Sequence, residues 1–73
     1  MTTHNERLSH LTPVAILEDN GERDWPIVWR GALIDALKRQ SIHNHGTVEV
    51  AKSLTHHGFY EGDGFSIYLA DAL

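Results

Sequence analysis

The chain has 73 residues, of which 41% are hydrophobic and 22% are charged, and it contains no cysteine. This composition is typical of one small globular domain and excludes disulfides and thiolate metal sites, so a reducing cytoplasm is the expected location. The net charge of −4 argues against non-specific binding to nucleic acid, which needs a basic surface.

The N-terminal part of the chain precedes the expected domain. Residues 1 to 12 are polar with scattered leucines, and they predict a flexible, disordered lead-in with neither a signal peptide nor a membrane segment. A single domain is then expected over residues 13 to 73. It opens with an apolar, partly β-branched run from Pro13 to Glu18 that stops at Asp19-Asn20-Gly21, which predicts a short strand and a turn.

An amphipathic helix is predicted over roughly residues 26 to 40. Asp24 is a favourable N-cap, and Pro26 is tolerated in a first helical turn. Gly31 within this helix indicates close packing or a bend. One side of the helix collects five apolar residues, which are Trp29, Ala32, Leu33, Ala36 and Leu37.

A second helix is predicted to begin at the N-cap Thr47 and to end at a left-handed residue, Gly58. Its apolar face would contain Val50, Ala51 and Leu54. Because the connector from residue 41 to residue 46 holds turn formers and has lost the helical period, the two helices are expected to be separate.

The end of the chain predicts a turn and a second strand. Residues 61 to 64 are turn formers, and the segment that follows alternates, with Phe65, Ile67 and Leu69 toward the core and Tyr68 outward. The order β-α-α-β then predicts an α+β domain in which two helices pack on a short two-stranded sheet.

The residues best suited to contact a partner are exposed aromatic and cationic side chains, which are enriched at binding hot spots. Acidic segments flank a basic centre, and this bipolar charge pattern suits a protein partner. The chain is expected to act as a monomer. The candidates are Trp25, Arg30, Lys38, Arg39, Tyr60 and Tyr68.

Three other functions have weaker sequence support. His43, His45, His56 and His57 could converge on a metal ion, but no ligand spacing argues for it, and no metal or cofactor is predicted. The acidic residues lie in turns and form no catalytic pair, so an enzyme is not expected. A helix-turn-helix or winged-helix DNA-binding domain is the main alternative, although acids and glycines follow the second helix where a recognition helix should begin.

The whole chain, including Trp25-Pro26-Ile27-Val28-Trp29-Arg30 and the C-terminal Tyr68-Leu69-Ala70-Asp71-Ala72-Leu73, resembles the small RNA polymerase-binding transcription regulators of lytic Xanthomonas phages. The resemblance implies a non-enzymatic protein that docks on host RNA polymerase at the N-terminal part of its β′ subunit, near the β flap and the RNA exit channel. Such a protein displaces the sigma factor, inhibits initiation and can suppress intrinsic termination. The resemblance assigns no role to individual residues.

Overall fold

Four strands and two α-helices form the part of the chain that the computed structural model describes, residues 8 to 73. The fold is mixed α+β as predicted, but the order is β-β-α-α-β-β and the sheet has four strands, so the two-stranded β-α-α-β arrangement was wrong. The elements are β1 (Pro13–Glu18), β2 (Ile27–Ala32), α1 (Leu33–Arg39), α2 (His45–His57), β3 (Phe59–Glu61), β4 (Phe65–Leu69) and a 3-10 helix (Ala70–Ala72).

The sheet is built from two antiparallel hairpins. Its strand order is β2-β1-β4-β3, and the hairpins join through antiparallel pairing of β1 with β4. Both of these central strands were predicted, with the bounds that the structure has. The β1–β4 pairing brings Val14 opposite Leu69 and Ile16 opposite Ile67, so segments from the two ends of the domain share the middle of the sheet.

The predicted helix over residues 26 to 40 is the main correction. Its first half is the edge strand β2, which pairs with β1, and only Leu33 to Arg39 is helical. The apolar residues of this segment are compatible with a helical face. Those of β2 are equally compatible with a strand, which is favoured when β1 pairs with it. A bulge opposite Ile16 and Leu17 breaks the strict alternation of β2, which hides the strand from a search for period two. Trp29 still packs against the core, but from a strand.

Residues 8 to 12 support the start of α1. Residues 1 to 7 of the predicted lead-in lie outside the described residues. No side chain caps α1; instead, Leu33 N–H donates to the Thr12 carbonyl at 2.9 Å, and Ile34 N–H donates to the His10 carbonyl at 2.8 Å. Two amide groups that a helix start leaves unpaired are therefore satisfied by the preceding segment.

The second helix begins three residues earlier than predicted, with Asn44 rather than Thr47 at its N-cap. Its end is as predicted, because Gly58 has a φ of 84° and its N–H donates to the Leu54 carbonyl at 3.0 Å. Val50 and Leu54 are buried, as expected for the apolar face.

Strand β3 was not predicted. It follows Gly58 directly and pairs with β4, and residues 62 to 64 form the hairpin turn. Gly64, with a φ of 86°, allows the chain to reverse there.

Both helices pack on the same face of the sheet. The core joins Val14, Ile16 and Ile67 from the sheet to residues of α1 and α2, which are Leu33, Ala36, Leu37, Val50 and Leu54. Neither α-helix within residues 8 to 73 has the length and apolar composition of a membrane-spanning helix. Among the described residues, the opposite face of the sheet, here called the outer face, has no helix over it.

Candidate partner-binding surface

Strand register places two rows of side chains across the outer face. Cross-strand partners project to the same side of a sheet, so residues that pair with Ala15 or Leu17 belong to this face. The first row is Arg30, Ala15, Tyr68 and Phe59, and the second row is Ile27, Leu17, Ser66 and Glu61.

Two of the four residues in the first row are aromatic. The rings of Phe59 and Tyr68 stack, with centroids 5.2 Å apart and planes 19° apart, and the His57 ring lies 6.0 Å from that of Phe59. Ala15 is fully buried between the half-buried Tyr68 and the exposed Arg30. The row therefore presents a stacked aromatic pair at one side and a cation at the other.

A depression lies beside the second row. Its volume is about 340 Å³. Leu17 and Ser66 contribute from the sheet, and the Ser66 side chain is small enough to leave space above its strand. The other lining residues are Arg23, Asp24, Trp25, Glu61 and Tyr68, and the site is called the Trp25 depression below.

Backbone hydrogen bonds hold the loop that carries Trp25. Asp19 N–H donates to the Gly64 carbonyl at 3.0 Å, and Glu18 N–H donates to the Pro26 carbonyl at 3.2 Å. Within the loop, the Asp19 carboxylate accepts a hydrogen bond from Gly21 N–H at 2.8 Å. The first of these bonds ties the β1–β2 loop to the β3–β4 turn, so the acidic residues of both connections gather at one end of the sheet.

Three of the predicted contact residues come together on the outer face or at its edge. Trp25 and Tyr68 line the same depression, and Arg30 lies in the same row as Tyr68. Tyr60 instead projects toward the helices, because it pairs with Ile67 and packs against the core.

The other two predicted contact residues lie on the helix side of the sheet. Lys38 and Arg39 are exposed in the last turn of α1. Arg39 Nη2 is 3.8 Å from Glu18 Oε2, and both side chains are more than 40% exposed, so this pair contributes little stability. One flat partner surface can therefore cover Trp25, Arg30 and Tyr68, but not Lys38 and Arg39 at the same time.

Sequence reasoning missed Phe59, Ala15 and Ser66, which build the outer face. Phe59-Tyr60 before a glycine-rich turn is a usable strand signal, because aromatic residues are enriched in strands. Small residues such as Ala15 and Ser66 carry no comparable signal, since their importance follows only from register.

Two of the alternative functions can be compared with the described residues. Among residues 8 to 73, no group of three or more histidine, aspartate or glutamate side chains is placed to hold a metal ion. The strand β3 directly follows α2, at the point where a helix-turn-helix domain would continue toward its recognition helix.

Comparison of the chain with protein-family models, with curated proteins and with solved structures gave no significant match.

Proposed function

We propose that this protein is a non-enzymatic, phage-encoded inhibitor that binds bacterial RNA polymerase in the host cytoplasm and displaces the sigma factor. Its docking site on the enzyme would be the N-terminal part of β′, near the β flap and the RNA exit channel. Binding there blocks initiation at host promoters and suppresses intrinsic termination. The protein acts as a monomer and needs no cofactor.

The observation that supports this proposal most is the outer face of the sheet. Its first row presents aromatic rings and an arginine, the residue types that contribute most binding energy at protein interfaces. The resemblance to small polymerase-binding regulators indicates the identity of the partner, and the outer face is a surface that could contact it.

The charge distribution favours a protein partner over free nucleic acid. A net charge of −4 opposes non-specific attachment to DNA, which would compete with binding to polymerase. Arg30 is an exposed cation at the other end of the row from the stacked Phe59–Tyr68 pair, a position from which it can steer an acidic surface during encounter.

Binding kinetics on immobilised Xanthomonas core polymerase test the proposal. Arg30→Glu should lower the association rate constant by about threefold to fivefold at low salt, because rim charges act mainly on encounter. Lys38→Glu makes the same change in charge on the helix side and should remain close to the wild-type rate.

Circular dichroism of both variants shows whether the fold is kept. Equal association rates for the folded Arg30→Glu and wild-type proteins would contradict the placement of polymerase on the outer face. Retention on duplex DNA near physiological salt, without binding to core polymerase, would contradict the proposal as a whole and favour the helix-turn-helix alternative.

A further inference from the structure

The Trp25 depression combines two kinds of group that bind cations. Aromatic side chains contribute from the loop and from β4, namely Trp25 and Tyr68, while Asp24 and Glu61 bring carboxylates. Aromatic faces attract cations through their quadrupole, and carboxylates accept hydrogen bonds from guanidinium groups in a bidentate geometry. Rings and carboxylates around one concave space favour a cationic ligand.

We propose that this depression binds an arginine side chain presented by the protein partner. A guanidinium is planar, so it can stack on an aromatic ring while its edge donates hydrogen bonds to a carboxylate. The ammonium of lysine is a compact and strongly hydrated charge that makes only one of these contacts well. The inference rests on the proposed function for the identity of the partner, and it adds the chemistry that the partner must present.

The surroundings of the depression favour a cation as the occupant. Asp19 and Glu22 in the β1–β2 loop, and Asp63 in the β3–β4 turn, are exposed at the same end of the sheet. Their field lowers the energy of a positive group near the depression, and it acts over about 10 Å at moderate salt. The outer face thus has a cation at Arg30 and an anionic site at Asp24 and Glu61, a pattern that fixes the orientation of a partner with the opposite arrangement.

Arg23 is the cationic residue in the lining of the depression. Its side chain is exposed, and among the described residues it forms no ion pair within 4.0 Å. A second guanidinium would bind next to this positive charge. Arg23 therefore weakens binding of the partner's arginine, and its removal should strengthen binding.

The test is a nuclear magnetic resonance titration of the full 15N-labelled chain with the peptide acetyl-Gly-Arg-Gly-amide. Saturable shifts are expected at the Trp25 indole N–H and at the amides of Glu61 and Ser66, with a dissociation constant on the order of 1–10 mM for so small a probe. The same peptide with citrulline in place of arginine has a similar shape without the charge, and it should bind at least about threefold more weakly.

Matched variants separate the depression from the rest of the outer face. Glu61→Gln and Asp24→Asn should each weaken binding of the arginine peptide by about threefold, while Arg23→Gln should strengthen it by about threefold. Arg30→Gln removes the same charge from outside the depression and should leave the dissociation constant within about twofold of wild type. Equal binding of the arginine and citrulline peptides would overturn the proposal, as would tighter binding of a lysine peptide.

Failure of this inference can be distinguished from failure of the proposed function. Saturable, arginine-specific binding by a chain that does not bind polymerase would support the depression and contradict the partner. If wild type and the double variant Asp24→Asn/Glu61→Gln bind polymerase equally, the depression is not used in the complex and the inference is wrong, while the docking proposal stands.

Discussion

Trp29 illustrates how one small residue positions a large one. A Cβ atom added at Gly31 would lie 2.5 Å from Cη2 and 2.6 Å from Cζ2 of the Trp29 indole. Both residues are in β2, where positions two apart share a face. The indole therefore lies against the glycine backbone, which explains the close packing that Gly31 indicated in the sequence.

Gly31→Ala should displace the indole and lower the free energy of unfolding by about 1–3 kcal/mol, the usual cost of overpacking. Urea denaturation followed by tryptophan fluorescence measures the change. In a Trp29→Leu background the ring atoms that meet the new methyl group are gone, so most of the cost of Gly31→Ala should disappear. An equal cost in both backgrounds would show that the indole is not what the methyl group displaces.

For individual residues, the residue types alone predicted part of the candidate site. Trp25, Arg30 and Tyr68 were named because aromatic and cationic residues favour interfaces. Ala15 and Ser66 could not be named, because a small residue becomes informative only when its neighbours across the strands are known. Tyr60 has the same chemistry as Tyr68 and differs only in the side of the sheet to which it projects.

Among the elements, α2 was predicted well because its signals are local. An apolar face at helical spacing and a terminal glycine are properties of one short segment, and the structure confirms the glycine at the expected position. The end of α2 is also tightly constrained, since the Gly58 carbonyl accepts a hydrogen bond from Leu69 N–H at 2.9 Å.

Gly58→Ala should therefore destabilise the protein by about 1 kcal/mol, because a left-handed backbone is costly for residues with a Cβ atom. In a domain of this size that corresponds to a fall in Tm of about 4–8 °C, measured by circular dichroism. Gly58→Asn should lose less, since asparagine tolerates this conformation better. A Tm for Gly58→Ala equal to that of wild type, or an asparagine variant less stable than the alanine variant, would contradict this account of the helix end.

The strand β2 could not be predicted from its own residues. Its apolar positions suit a helix as well as a strand, and the choice depends on β1, which lies across the intervening loop. The helix α1 has only seven residues, which is too few for a helix to be stable alone. It is stabilised by tertiary packing, because Leu33, Ala36 and Leu37 are buried in the core. Pairing with β1 outweighed the helical pattern of the segment.

For the whole molecule, placing both helices on one side of the sheet has a functional consequence. Within residues 8 to 73, the core is completed on the helix side, and the outer face keeps the Phe59–Tyr68 pair and the Trp25 depression accessible. The sequence predicted a small α+β domain with bipolar charge, but it could not locate this face, because the face exists only after the two hairpins join through β1 and β4.

Competition with the sigma factor tests the central claim most directly. Fluorescently labelled sigma bound to core polymerase has a high anisotropy, which is followed as the unlabelled protein is added. The account predicts that anisotropy falls to the value of free sigma, and that Arg30→Glu requires a higher concentration than Lys38→Glu to produce the same fall. Two results would contradict the account. In one, the protein saturates the polymerase while the anisotropy of labelled sigma stays high; in the other, the anisotropy stays high because the protein does not bind polymerase.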